Sequence, residues 1–131
     1  MTSPVSHAVT RGVRVDVRSA YVPERSTPES GYFFFAYRVQ IINEGGVAVK
    51  LLSRHWMITD GEGNREDVRG PGVVGEQPFL APGDTFTYTS ACPLRTRRGH
   101  MAGTFQMLDI EGDLFDAEVG VFGLVYPESL E

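Results

Sequence analysis

Apolar residues recur at every second position over several stretches of this chain. From Val13 the odd positions read Val13, Val15 and Val17, with Arg14, Asp16 and Arg18 between them. A period of two belongs to a strand with one buried and one wet face. Residues 32–43 repeat it, with Phe33, Phe35, Tyr37, Val39 and Ile41 on one face. Arg38 and Gln40 share the other face with Phe34 and Ile42, so this strand is expected inside a sheet. Residues 47–60 read as two strands, or one bent strand, around Leu51-Leu52 and Trp56-Met57-Ile58. Asp60-Gly61-Glu62-Gly63-Asn64 predicts a hairpin turn, because its glycines accept positive φ, and a short strand over 65–68 pairs back.

A long loop over 69–83 follows. Residues 85–91 alternate again, with Phe86 and Tyr88 inward and Thr85, Thr87 and Thr89 outward. Phe105 and Met107 share a face over 104–109. Glu111-Gly112-Asp113 is a tight turn, and 114–125 places Phe115, Ala117, Val119 and Val121 on one face. No longer segment carries a helical stripe. About seven to eight short strands separated by turns predict an all-β chain, an Ig-like or fibronectin type III-like antiparallel β-sandwich. A closed β-barrel is the alternative. One domain over 8–127 is expected, with flexible tails at 1–7 and 128–131.

Composition narrows the function. Twelve basic against seventeen acidic residues give a formal charge of −5. Bulk binding to nucleic acid or to an anionic membrane needs a basic face, so neither is expected. No apolar run is long enough to span a membrane, and residues 1–7 lack the charged and apolar regions of a signal peptide. The single Cys forms no internal disulfide, and a reducing, cytoplasmic setting fits.

The 131 residues include 15 Gly and 8 Pro, an excess over average usage that implies turns. It concentrates in Arg69-Gly70-Pro71-Gly72-Val73-Val74-Gly75-Glu76-Gln77-Pro78, where Gly70, Gly72 and Gly75 spell G-x-G-x-x-G. A dinucleotide fold needs a helix after such a loop, and Pro78 and Pro82-Gly83 forbid one. A looser nest of successive N–H groups could still cup a phosphate, with Arg69 supplying charge. Otherwise the loop is a crossover of the sandwich.

At this loop the chain resembles the ApaG family, also called CorD or DUF525. The segments that carry the resemblance include Tyr32-Phe33-Phe34-Phe35-Ala36-Tyr37, Ser53-Arg54-His55-Trp56 and Gly70-Pro71-Gly72-Val73-Val74-Gly75-Glu76-Gln77-Pro78, and it spans roughly residues 8–127. The resemblance implies an Ig-like or fibronectin-like sandwich in a small bacterial cytoplasmic protein. It implies a link to cobalt tolerance and magnesium efflux, with no established enzymatic activity. Similar domains are appended to eukaryotic F-box proteins and to a polymerase-delta-interacting protein, as protein-interaction modules. The pyrophosphate site proposed for the family's glycine loop maps onto Gly70, Gly72 and Gly75.

Other candidates are local. Arg54, His55 and Trp56 combine polar chemistry with aromatic surface and form a candidate interaction surface, although on one strand His55 faces away from Arg54 and Trp56. Otherwise Trp56 anchors the core. Arg95, Arg97, Arg98 and His100 form a basic cluster in a loop; if Arg95, Arg97 and Arg98 converge with Arg69, an anion site follows. His7, His55 and His100 lack metal-ligand spacing. The acids at Asp60, Glu62, Asp109, Glu111 and Asp113 fit turn chemistry better than a cation site. Cys92 has no local base and reads as a buried, inert thiol.

No catalytic constellation, metal site or cofactor is therefore expected. The expected function is a non-enzymatic interaction module with a protein partner, and a phosphate or nucleotide ligand at the glycine loop is the alternative. Sandwich edges can pair across a two-fold axis, so a homodimer is one expected assembly.

Overall fold

The structure is a computed structural model that describes residues 2–127. Its strands are β1 (Val5–Thr10), β2 (Val13–Tyr21), β3 (Phe33–Asn43), β4 (Val49–Asp60), β5 (Arg65–Pro71), β6 (Phe79–Leu80), β7 (Thr85–Leu94), β8 (Arg98–Asp109) and β9 (Leu114–Val125). Two single 3₁₀ turns, Pro23–Arg25 and Pro28–Ser30, lie between β2 and β3. One sheet has the order β1-β2-β3-β7, the other β5-β4-β8-β9, with β6 added to β4. Every pairing between strands is antiparallel. The chain is thus an all-β sandwich of two antiparallel sheets.

The predicted alternation sets the layers. Val13, Val15, Val17, Phe35, Val39 and Ile41 from one sheet meet Leu51, Trp56, Met101, Phe105, Met107 and Phe122 from the other, all buried. Trp56 is the hub: its ring centroid lies 5.5 Å from Tyr37, 5.8 Å from Phe105 and 6.0 Å from Phe122. Edge-to-face aromatic pairs of this kind contribute about 0.5–1.5 kcal/mol each beyond the area they bury.

Side-chain hydrogen bonds join β9 to the first sheet. Ser19 Oγ donates to the Gly123 carbonyl at 2.5 Å, and the Glu118 amide donates to Thr10 Oγ1 at 3.0 Å. At the other side the two edge strands are β7 and β5.

Several expectations change. Residues 5–7, expected in a flexible tail, begin β1, because they pair with residues 16–18 of β2. Residues 128–131 lie outside the described residues. The bent region over 47–60 is one strand, with a β-bulge where the β4–β8 register shifts between Leu51 and Ser53. That extra residue explains how Leu51, Arg54 and Trp56 come to share the inner face. A second bulge breaks the last strand. Met101 opposes Phe122 while Gly103 opposes Val119, so Gly120 and Val121 face Ala102 together. The alternation therefore slips, leaving Val121 52% exposed and burying Phe122 and Leu124 instead.

Candidate functional site

The glycine-rich segment folds as a hairpin braced at its base. Gly70 sits opposite Arg54 in the β4–β5 ladder. A Cβ there would stand 3.0 Å from both Nη atoms of Arg54, so the bare glycine lets the guanidinium lie against the backbone. Arg54 Nη1 donates to the carbonyls of Pro71 at 3.0 Å and Gly72 at 2.9 Å. The bulged Leu52 carbonyl accepts from the Gly72 amide and from Gln77 Nε2, each at 2.8 Å. Val73, fully buried, pins the hairpin to the core.

Beyond Val73 the chain reverses in two residues. The Val73 amide donates to the Glu76 carbonyl at 2.8 Å, and the Glu76 amide returns the bond at 2.9 Å. The residues between them, Val74 and Gly75, have φ of 43° and 82°. Two consecutive positive φ values are those of a type I′ turn, which favours Asn-Gly or Gly-Gly. A β-branched residue in this region is an outlier, and Val74 is also 52% exposed. A conformational cost is carried here with little burial in return, a combination that draws attention to function.

This geometry answers the phosphate question for the loop. A nest needs successive N–H groups turned outward, whereas the Gly72, Val73 and Glu76 amides are bonded inside the hairpin or to β4. Gly70 belongs to a strand, and β6 follows where a dinucleotide fold needs a helix. Gly70, Gly72 and Gly75, expected as a nest, lie on a braced hairpin in which the Gly72, Val73 and Glu76 amides are already bonded.

The arginines do not converge either. Gly70 is opposite Arg54 and Gly99 is opposite Asp60, a separation along β4 of about 20 Å at the usual strand rise. Arg98 begins β8, and Arg97 lies over the Tyr126 ring at 5.2 Å. Arg95 borders a hollow with Asp60, Asn64 and Glu66. The expected union of Arg69 with Arg95, Arg97 and Arg98 fails because β7–β8 and β5–β6 connect at opposite ends of the sandwich.

Arg69 instead borders an open groove of about 580 Å³ beside the hairpin, with Ser53, His55, Gln106 and Asp116. Its polar groups are largely paired. Ser53 Oγ donates to Gln106 Oε1 at 2.8 Å, and Gln106 Nε2 donates to Thr104 Oγ1 at 2.8 Å. His55 Nε2 lies 2.9 Å from Asp67 Oδ2, which also accepts from Arg65 Nη2 at 3.0 Å. Arg65, and then His55, hold the Asp67 carboxyl well below the usual carboxylate range.

The Arg54, His55 and Trp56 surface divides as strand geometry requires. Trp56 is 4% exposed and belongs to the core, so it is not part of an accessible surface. Arg54 braces the hairpin, and His55 faces the groove. On the inner side, the charge of Arg54 acts on the phenols of Tyr37 and Tyr88, both pushed up by burial.

The acids at the β8–β9 turn build that turn. Asp109, 3% exposed, accepts from the amides of Glu111 and Asp113 through Oδ1, each at 2.9 Å, and from Arg11 through Oδ2 at 3.3 Å. Its oxygens lie close to those of Glu111 and Asp113, but its bonds are those of an Asx turn. Cys92 is 5% exposed, and burial first, then the charge of Glu66, pushes its thiol up to about 11. It has the environment of an inert thiol.

The ApaG domain model, DUF525, matches residues 23–109, from the first 3₁₀ turn through β8. This chain belongs to the ApaG family. The ApaG protein of Anaeromyxobacter dehalogenans (strain 2CP-C) is 51% identical over 126 residues, covering 96% of this chain and 99% of that protein. That of Pseudomonas paraeruginosa is 54% identical over 128 residues, covering 98% of each. Among solved structures, the crystal structure described as the ApaA protein from Bordetella pertussis superposes with a TM-score of 0.87 at 44% identity. It covers 98% of this chain and 99% of that one. The domain model begins only at residue 23 and ends at 109, so β1, β2 and β9 complete this ApaG sandwich from outside the matched segment. Among the described residues no helix is long and apolar enough to cross a membrane.

One feature of the site is not singled out by the motif: the left-handed backbone of Val74. The signal was present in register: Val74-Gly75 occupies the two central positions of a tight turn, where Val is the wrong residue for the backbone.

Proposed function

We propose that this ApaG-family chain is a non-enzymatic protein-binding module that presents the hairpin over 73–76 to its partner. The observation that carries this reading is Val74, a half-exposed β-branched residue at φ 43° on a turn locked from below. Arg54, Gln77 and the Gly72 amide hold the base of the turn. Phe79, 60% exposed on β6, is a second exposed apolar residue shortly after the hairpin in the chain. A rigid projection loses little conformational entropy on docking, which favours affinity. The family's link to cobalt and magnesium then acts through the partner and not through an ion held by this chain. A reducing cytoplasm suits the single cysteine.

Site-specific photocrosslinking in the native host tests the reading. A photoreactive residue at position 74 is expected to capture one discrete protein, and the same probe at exposed Val9 to capture none. With the probe moved to exposed Glu76, Val74→Asp is expected to abolish that product. Equal capture from both positions, or none from position 74, overturns the proposal. A product with the mass of two copies of this chain identifies the partner as a homodimer.

A further inference from the structure

The outward face of the first sheet gathers positive charge on an acidic protein. Arg14, Arg18 and Arg38 lie on that face, with Asp16 as the only acid among its outward strand positions. Asp16 is already engaged. Its Oδ1 lies 2.7 Å from His7 Nδ1 and accepts from Arg14 Nε at 3.0 Å, and its Oδ2 accepts from the same Nε at 3.1 Å.

Arg18 and Arg38 are left facing each other. They are direct cross-strand partners in the β2–β3 register, and both are exposed. Like charges placed directly opposite are destabilising in a sheet. Among the described residues, the ion pairs of this face join Asp16 to His7 and Arg14 and do not reach either residue. Both arginines border a hollow of about 260 Å³, with Gln40, His7, Val5 and Asp16. Gln40 sits one strand position pair away, opposite Asp16, so its amide enters the same hollow.

We propose that Arg18 and Arg38 clamp the phosphoryl dianion of a small soluble phosphate, with Gln40 donating a further N–H. Two guanidiniums offer ten N–H donors in planar forks suited to phosphate oxygens. A single carboxylate neutralises only one of them, whereas a phosphate monoester near neutral pH carries close to two charges and three acceptor oxygens. The hollow has no Phe, Tyr or Trp, and its one ring, His7, is tied to Asp16, so the ligand is recognised through its phosphate and not as a nucleotide. The site lies on the sheet opposite the hairpin and stands independently of the hairpin's role.

Titration with inorganic phosphate, followed by backbone amide resonances at constant ionic strength with chloride as reference, tests the assignment. Saturable shifts centred on residues 16–18 and 38–40 are expected with phosphate and not with chloride. Arg18→Gln and Arg38→Gln should each weaken binding about tenfold, the loss expected for one charge-assisted contact, and the double variant should abolish it. Arg95→Gln should bind as the parent does. Removing one of two opposed charges does not threaten folding, so each single variant should melt at or above the parent without phosphate. Shifts that grow linearly and match chloride, shifts centred on 70–76, or a double variant that binds like the parent overturn the proposal.

Discussion

Val74→Asn should stabilise this protein. A left-handed backbone costs an L-residue about 1–2 kcal/mol, and Asn is one of the few residues that visits it readily. Val74 adopts φ 43° beside Gly75 at φ 82°, and Asn-Gly is the preferred pair for such a turn. The opposing loss is small. Val74 is 52% exposed, and full burial of a valine contributes about 1.5 kcal/mol at the lower end, so surrendering part of a half-buried side chain costs about 0.5 kcal/mol. The net gain is about 1 kcal/mol, or about 3–5 °C in Tm for a domain of this size. Calorimetry and urea unfolding measure it, with an unchanged m-value showing that the native state is preserved. Val74→Ala is the control: it keeps a Cβ in the same backbone region and should gain much less. A Tm for Val74→Asn at or below the parent refutes the reasoning. If the hairpin tip binds the partner, the same variant should lose crosslinking from a probe at position 76 while gaining stability, the trade-off expected of a strained functional residue.

Other consequences follow from packing and charge. A Cβ on Gly103 would collide with the His55 carbonyl and stand 3.1 Å from Trp56 Cε3. Gly103→Ala should therefore cost at least about 2–3 kcal/mol in urea unfolding, and a cost below about 0.5 kcal/mol contradicts the β4–β8 register. Asp67, depressed by Arg65 and His55, should contribute stability above its unfolded pKa of about 4 and lose it as pH falls below that value. Asp67→Asn should thus be less stable than the parent near neutrality and show a flatter decline in Tm toward acid; parallel pH profiles would count against the contacts. Cys92, 5% exposed with its thiol pushed up to about 11, should resist a thiol reagent at about pH 8 in the native protein and react fully in denaturant. Rapid native labelling would show that the β7 edge opens.

The sandwich was readable because its signal is local. Val13, Val15 and Val17, or Phe33, Phe35, Tyr37, Val39 and Ile41, declare a face within one strand, whatever that strand pairs with. The turns at 60–64 and 111–113 were readable for the same reason. The two bulges were legible only as a broken period between Leu51 and Trp56 and a glycine at 120; where the extra residue falls is defined by what it opposes on β8. β1 is not legible in the sequence because its short strand has few strongly apolar residues, and pairing with β2 holds it.

The candidate sites divide in the same way. The sequence singled out the glycine segment, and the ApaG-family resemblance gave it weight, yet G-x-G-x-x-G has one spelling for a phosphate nest and for a braced hairpin. The amides of Gly72, Val73 and Glu76 are bonded within the turn or to β4, and only strand pairing shows that. The basic cluster of Arg95, Arg97 and Arg98 is contiguous in sequence but lies at the far end of the sandwich from Arg69. Arg18 and Arg38 stand twenty residues apart and still meet, because antiparallel pairing of β2 and β3 makes them neighbours. The sequence by itself determined the period of the strands, the inner faces of most of them and the family. Only the tertiary structure decided register, bulges and the meeting of distant charges, because strand pairing brings together residues whose separation along the chain carries no trace of their contact.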